Sequence, residues 1–337
     1  MADLRVGFVG AGIIAKAHAI ALNRIEGVTI TAAIDPLKDR AEELVAEFGG
    51  KAFTSFDDAA DEVDAVWVGT PPYLHCENSL AALEAGKHVF VEKPIALSLA
   101  DADAMIEVAD RGNLKLAVGE MIRFYPAYRE MRRIIDAGEI GDLVSVWSHR
   151  YSNSSLDFDP QWRWDPKKSG GFVFEWQTHE INTIRYLGGE VVSVDASVYY
   201  SPKLPEYDVT AYASLVFENG STGRVDGSVQ FPYSFVERGA LGTEGAVIAR
   251  DDETLMIHRL DSAAPEVYRG IIGIHEGEHG RTTLRRVLED RDFVAAIRDD
   301  RQPSMNGREG RADIEVALAI HESSREGRTV KLSPGAG

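Results

Sequence analysis

The stretch LRVGFVGAGIIA, Leu4–Ala15, decides how the rest of the chain is read. Its first half is apolar and Val-rich without strict polar alternation, as expected of a strand buried on both faces. Its second half, Gly10-Ala11-Gly12-Ile13-Ile14-Ala15, fits the pattern G-x-G-x-x-G/A. In that pattern the first glycine allows a tight turn and the second lets a pyrophosphate approach the backbone. The small third residue lets helix and strand pack closely. Ile13 and Ile14 open the following helix, whose free N–H groups suit phosphate. Asp35 lies twenty residues past Ala15, at the end of the next apolar run, VTITAAID. An acid there can hydrogen-bond ribose hydroxyls and would repel the extra phosphate of NADP, so NAD is the expected cofactor. Lys38 and Arg40, close behind it, leave NADP as the alternative. A glycine turn that binds nothing is the bland reading; the strand before, the helix after and Asp35 weigh against it.

Working outward, DAVWVGT (Asp64–Thr70), KHVFVEK (Lys87–Lys93) and LKLAVGE (Leu114–Glu120) read as further strands. Helical stretches at Ile13–Ile25, Asp39–Phe48, Leu74–Ala85 and Leu99–Arg111 separate them. Alternation of this kind predicts a doubly wound parallel sheet of the Rossmann type over residues 1–122. The pattern then changes. YDVTAYASLVFENGSTGRVDGSVQF reads as two alternating strands joined at Asn219-Gly220, a strong hairpin signal. VVSVDASVYY and GAVIARDDETLMIHRL flank it as strand. Residues 123–337 are therefore expected to form an α+β domain on an open, mainly antiparallel sheet. A final helix, Ala312–Arg325, ends at Gly327 and is free to pack back on the first domain.

The chain has 337 residues, enough for two cores, with 44% hydrophobic and 27% charged residues. A formal charge of −18 argues against nucleic acid or an anionic membrane as partner. No apolar run approaches the ~20 residues of a membrane span, and the start carries no secretory pattern. The single cysteine, Cys76, excludes an internal disulfide and a cysteine-rich zinc site. These features together place the chain in the cytoplasm. One stretch points elsewhere: HEGEHG contains His275 and His279 in the spacing of a zinc hydrolase helix. Glycines at 270, 273, 277 and 280 surround or interrupt it, and each costs a helix about 1 kcal/mol relative to alanine. The histidines are therefore read as lying on a loop, and no metal is expected.

Two segments carry candidate chemistry. VEKPIA places Glu92-Lys93-Pro94 at the carboxyl end of a predicted strand, the edge where open parallel sheets bind ligands. A lysine snorkelling at a strand end is the competing reading. SGGFVFEWQTHEIN predicts a helix with Glu175, His179 and Asn182 on one face. A histidine beside a carboxylate can take a proton near neutral pH, although a structural histidine fits the pattern equally well.

These motifs, with VWVGTPPYLH, RFYPAYREMRRIIDAGEIGDL and GREGRADIEVALAIHESSREGRTVKL, resemble the glucose–fructose oxidoreductase / inositol dehydrogenase / MocA family across nearly the whole chain. The resemblance implies an NAD(P)-dependent dehydrogenase whose sheet face pairs subunits into homodimers or homotetramers. It places the catalytic lysine at Lys93 and the catalytic histidine at His179. It also sets the loop of Thr70, Pro71 and His75, together with Glu92, along the cofactor. The family's common aspartates before and after the histidine are Glu175 and Asn182 here. Glutamate keeps the charge on a longer arm, whereas asparagine can hydrogen-bond but cannot take a proton.

Arg123, Tyr125, Trp162, Arg163 and Asn182 are candidate substrate contacts, because aromatic faces and a guanidinium suit a sugar; packing is the alternative for each. His149, Arg150 and Asn153 are weaker candidates for binding hydroxyls. The expected reaction is oxidation of a hydroxyl on a sugar or cyclic polyol, with His179 as base, Glu175 orienting it and Lys93 on the reacting oxygen. Two alternatives share the fold: redox-neutral glycoside cleavage with retained NAD, and a non-catalytic sensor of sugar or nucleotide.

Overall fold

The computed structural model describes residues 3–154, 161–250, 254–269 and 280–333. The predicted first strand is β1 (Leu4–Val9), followed by α1 (Ile13–Leu22), β2 (Val28–Ile34) and α2 (Lys38–Phe48). A short β3 (Lys51–Phe53) and α3 (Phe56–Ala59) come next, then β4 (Ala65–Val68), α4 (His75–Glu84) and β5 (His88–Glu92). α5 (Leu99–Arg111) and β6 (Leu116–Gly119) complete the sheet. α5 starts where Ser98 accepts from the Asp101 backbone N–H at 3.1 Å and donates to the Asp101 carboxylate at 2.7 Å, which satisfies an otherwise orphaned helix-end donor.

The six strands pair in parallel in the order β3-β2-β1-β4-β5-β6. Order reverses between β1 and β4, so the glycine turn after β1 and the carboxyl end of β4 lie at the switch point, where such sheets leave a crevice. All four residues of β4 and of β6 are buried, which explains why these strands read as continuous apolar runs.

After the 3-10 turn at Met121–Phe124 come α6 (Pro126–Asp136), β7 (Leu143–Asn153), α7 (Pro166–Ser169), α8 (Gly171–Glu175) and α9 (Thr178–Gly188). Then follow β8 (Val191–Ser201), β9 (Leu204–Phe217), β10 (Thr222–Ser228), β11 (Gln230–Gly242), β12 (Gly245–Arg250), β13 (Thr254–Arg259) and β14 (Glu266–Arg269). α10 (Gly280–Arg298), α11 (Gly307–Glu326) and β15 (Val330–Lys331) close the described chain. The second sheet runs β14-β13-β12-β11-β7-β10-β9-β8-β15. It is antiparallel except where β10 lies parallel to β7. One face packs under α6, α8 and α9. Alternation along β9 follows from this: Val209, Ala211, Ala213 and Leu215 are buried, while Tyr212, Ser214 and Val216 are exposed.

The described residues form two compact units, 3–121 with 280–311 and 122–269 with 312–333. This differs from a single boundary at residue 122, since α10 belongs with the parallel sheet. The reason is packing. Phe293 of α10 is buried edge-on against Trp67 and Phe90, at centroid distances of 5.2 and 5.7 Å. Val294 joins the same core with Phe8, Ala15 and Leu22. Burying one such phenylalanine stabilises by about 2 kcal/mol.

Candidate active site

In the first unit, candidate groups gather at the carboxyl ends of β1, β2, β4 and β5. Gly10 turns the chain at φ 89°, and its N–H donates to the Ile34 carbonyl at 2.8 Å. A Cβ on it would stand 2.9 Å from the Thr70 methyl, so only glycine fits the turn. At Gly12, by contrast, an added Cβ would meet nothing within 4 Å. Gly12 caps α1 without a side-chain hydrogen bond, which leaves the first-turn N–H groups of Ile13 and Ile14 to a ligand. Asp35 is buried at the end of β2. Its carboxylate accepts from the Ala11 N–H at 3.0 Å and the Leu37 N–H at 2.9 Å, so the acid stands at the glycine turn. A tight turn, open backbone and an adjacent acid together fit a dinucleotide.

The loop after β4 is also ordered by its own polar groups. Thr70 accepts from the Asn78 amide at 3.2 Å, and Pro71 leads into the turn Pro72–Leu74. His75, expected along the cofactor, has both ring nitrogens within hydrogen-bond distance of backbone carbonyls. Nε2 reaches Thr70 O at 2.8 Å and Nδ1 reaches Pro94 O at 2.7 Å. It therefore ties two loops together from a buried position. β5 ends at Glu92 and delivers Lys93 to the sheet edge, with the Lys93 N–H 3.3 Å from the Glu92 carboxylate.

Behind Glu92 lies a buried network that the sequence did not reveal. His18 of α1 contacts Glu92 Oε1 through Nε2 at 2.9 Å and Asp290 Oδ1 through Nδ1 at 2.8 Å. Trp67 Nε1 donates to the same Asp290 oxygen at 3.0 Å. Burial opposes a charge on His18, but Asp290 and Glu92 outweigh it and lift the imidazole to about 9; His18 in turn holds Glu92 at about 2 despite its burial. Burial pushes neighbouring Glu289 well above the carboxylate range. Ligand-capable atoms of His18, Glu289 and Asp290 lie within 4.8 Å of one another. With His18 Nδ1 engaged on Asp290 and Arg286 close by, we read the cluster as an ion-pair network and not as a metal site. The signal in the sequence was a histidine in the apolar face Ala15, Ala19, Leu22.

In the second unit, the expected continuous helix is broken: α8 ends at Glu175 and α9 begins at Thr178. Gly171 opens α8 at φ 84°, where a Cβ would overlap the carboxylate of Asp208. That carboxylate accepts from the N–H groups of Phe172 at 3.0 Å and Val173 at 2.9 Å. Glu175 is buried and ion-pairs with Arg163 Nε at 2.9 Å. The Arg163 guanidinium sits 5.3 Å from the Trp162 ring and 5.8 Å from that of Trp176, a cation between aromatic faces.

His179 lies in the first turn of α9, mostly buried, and its carbonyl accepts from Thr183 Oγ1 at 2.7 Å. Asn182, expected toward substrate, is fully buried between Arg123 Nε, which donates to it at 3.0 Å, and Asp313, which accepts from its amide at 2.7 Å. Arg185 donates to Asp313 at 2.6 Å. A carboxylate from α11 thus stands behind the asparagine, which no local pattern signalled. Arg123 also packs 5.3 Å from the Tyr186 ring. Tyr125 is buried, with its ring 5.8 Å from that of Tyr128.

Glu180, next to His179, meets Arg238 in a fully buried bidentate pair, both bonds at 2.7 Å. Arg150 faces this pair from 3.4 Å, while His149 turns to the opposite sheet face and bonds Asp226. Asn153 reaches the Pro232 carbonyl at 3.4 Å, at the exposed end of β7. His275 and His279 lie outside the described residues.

Comparison with known proteins agrees with this architecture. Residues 4–120 match the model of an oxidoreductase family with an NAD-binding Rossmann fold, and residues 128–248 match the GFO/IDH/MocA C-terminal domain. The scyllo-inositol 2-dehydrogenase (NAD(+)) of Bacillus subtilis is 29% identical over 98% of this chain and 96% of its own length. The myo-inositol 2-dehydrogenase of Thermotoga maritima is 28% identical, with 98% of each chain covered. Among solved structures, levoglucosan dehydrogenase in complex with NADH and L-sorbose shares the fold at a TM-score of 0.90. That match covers 99% of this chain and 100% of the other at 23% identity. No described helix is long and apolar enough to cross a membrane. With both family domains matched in order along more than half its length, this chain belongs to the GFO/IDH/MocA family of oxidoreductases, and its first unit is an NAD-binding Rossmann domain.

Proposed function

We propose that the protein is an NAD-dependent dehydrogenase that oxidises a hydroxyl of a sugar or cyclic polyol. The observation that carries this reading is Lys93, delivered by β5 to the same sheet edge that holds the Gly10 turn and Asp35. The inositol dehydrogenases among its relatives support the substrate class.

Oxidising an alcohol removes a hydride from carbon and a proton from oxygen, leaving a carbonyl. His179 takes the proton as general base. Lys93 donates a hydrogen bond to the reacting oxygen and stabilises the negative charge that builds there. When bound, oxidised nicotinamide accepts the hydride, so the products are the carbonyl compound, NADH and a proton. Glu175, at the end of α8 just before His179, is assigned to orienting that histidine. It also holds Arg163, which with Trp162 and Trp176 offers a cation and aromatic faces to hydroxyls and C–H edges. Arg123 is assigned to the substrate side and Asn182 to holding it.

We also assign the outer face of the nine-stranded sheet to self-association as a homodimer or homotetramer, because Tyr199, Tyr212, Val216 and Leu241 leave apolar surface there. The absence of a cysteine pair and the use of NAD favour the cytoplasm.

The test follows NADH by absorbance with NAD and a panel of inositols, aldoses and sugar acids, beside the variant Lys93→Ala. One compound class should give NADH, and the variant should lose roughly a thousandfold in kcat, the scale of one charge-stabilising donor, while still binding NAD. Undiminished turnover by Lys93→Ala would remove Lys93 from the reaction. Glycoside cleavage with no accumulated NADH would replace net oxidation with the redox-neutral reaction.

A further inference from the structure

The residues on either side of Lys93 are each gripped by a buried histidine, and the reaction described above uses neither. On one side, the Glu92 carboxylate is held by His18 Nε2 at 2.9 Å. On the other, the Pro94 carbonyl is held by His75 Nδ1 at 2.7 Å. Each histidine faces a second partner through its other nitrogen, His18 the Asp290 carboxylate at 2.8 Å and His75 the Thr70 carbonyl at 2.8 Å; both carbonyls beside His75 only accept, so its neutral ring donates to one of them at a time. The anchors belong to different parts of the unit: α10 for His18 and the loop after β4 for His75.

Carboxylates accept hydrogen bonds and do not donate them, so His18 satisfies both of its partners only with a proton on each nitrogen. Its surroundings allow that charge. Glu92 and Asp290 are negative, and Arg286 adds a second positive charge. Burial pushes Glu289 toward its neutral form, which spares the cluster a third negative charge. The Phe90 ring closes on His18 from 5.1 Å. The Glu92 carboxyl is seated against Gly119 of β6, where a Cβ would come within 3.1 Å of its carbon and of one oxygen. It therefore has little room to swing, and its second oxygen faces the Lys93 N–H at 3.3 Å.

We propose that His18 and His75 are positioning residues: together they clamp Glu92 and Pro94 and so set where the Lys93 ammonium lies. The proposal rests on the reading of Lys93 as the group on the reacting oxygen. Two cross-braces suit that task. A lysine carries four rotatable bonds, and a catalytic donor must be held to within a fraction of an ångström. The nucleotide groups Gly10, Gly12 and Asp35 make no hydrogen bond to either histidine, so cofactor affinity and lysine placement are separable.

The experiment compares wild type, His18→Gln, His75→Gln and Lys93→Ala in three measurements: NAD binding by calorimetry, steady-state oxidation of the active sugar or polyol, and labelling of Lys93 by acetic anhydride followed by mass spectrometry. Each glutamine variant keeps one amide donor in place of the ring and should lower kcat about tenfold to a hundredfold, the cost of misplacing a reacting group by about an ångström. NAD affinity should stay within about twofold, and the labelling rate of Lys93 should change while that of exposed lysines stays constant. Wild-type kcat and unchanged Lys93 labelling in both variants would overturn the proposal. Loss of NAD binding in step with kcat would also overturn it, since that marks general damage to the domain. The two variants act on separate braces, so misfolding of one leaves the other decisive. If Lys93→Ala retains turnover, the catalytic reading fails instead, and the labelling result still tells whether the histidines place the lysine.

Discussion

Replacing Arg238 by methionine should expose how much the buried charge beside His179 depends on one partner. Arg238 and Glu180 are both fully buried, and the guanidinium also meets Ser148 at 3.1 Å and the Tyr128 hydroxyl. Burial opposes the Glu180 charge, but Arg238 overcomes it and holds the carboxyl at about 2 against an ordinary 4.5. At about 1.4 kcal/mol per pKa unit, that difference corresponds to roughly 3 kcal/mol. Removing one partner of a buried pair independently suggests about 3–5 kcal/mol. Arg150 at 3.4 Å can take over part of the charge, so the lower figure is expected.

The sign with pH follows from linkage. In wild type the depressed carboxyl contributes stability that is present above 4.5 and lost as pH falls through about 2. In Arg238→Met, burial without a partner raises the carboxyl, and stability is lost as pH rises above its ordinary value. The gap between the two proteins should therefore be widest near neutrality and narrow by more than half at about pH 3. Urea unfolding followed by tryptophan fluorescence suits the measurement. Of the five tryptophans, Trp147, Trp162, Trp164 and Trp176 lie in the unit that holds the pair, and Trp67 alone in the other. A double variant with methionine at both positions should recover most of the loss. A cost under about 1 kcal/mol near neutrality, or an equal cost at both pH values, would refute the argument.

Two further outcomes follow from particular atoms. Gly171→Ala should cost about 3 kcal/mol in the same unfolding assay, because the new methyl displaces Asp208 and two charge-assisted hydrogen bonds weaken with it. Gly138→Ala, also at positive φ but with nothing within 4 Å, should cost only the backbone term of about 1 kcal/mol; equal losses would deny Asp208 its part. Asp35→Ser should raise the KM for NAD about tenfold or more while improving use of NADP, since it removes an acceptor for the ribose and a repulsive charge together. An unchanged ratio of NAD to NADP efficiency would show that specificity resides elsewhere.

Much of the first unit was legible because its determinants are local. The runs that form β1, β2, β4, β5 and β6 read as strands because burial on both faces demands unbroken apolar residues. The span read as α5 matches the observed helix, with a capping serine before it and a glycine after it. β3 escaped notice because three residues carry no period. The helix expected to carry Glu175, His179 and Asn182 on one face is interrupted at Trp176-Gln177, so spacing alone misjudged the partners. Glu175 meets Arg163, and Asn182 meets Arg123 and Asp313. The parallel pairing of β7 with β10 was equally hidden, because alternation shows which face a residue takes and not which strand lies beside it.

By itself, then, the amino-acid sequence determined the class of fold, the glycine turn after β1, the acid beside it and the lysine at the strand end. Each of these is written in a few consecutive residues whose backbone freedom, periodicity or charge leaves few local choices. Only the tertiary structure decided which buried charges face one another. His18 finds Asp290 across 272 positions and Arg185 finds Asp313 across 128. A buried ion needs a partner within hydrogen-bond reach, but the chain supplies that partner from whichever element packing brings close.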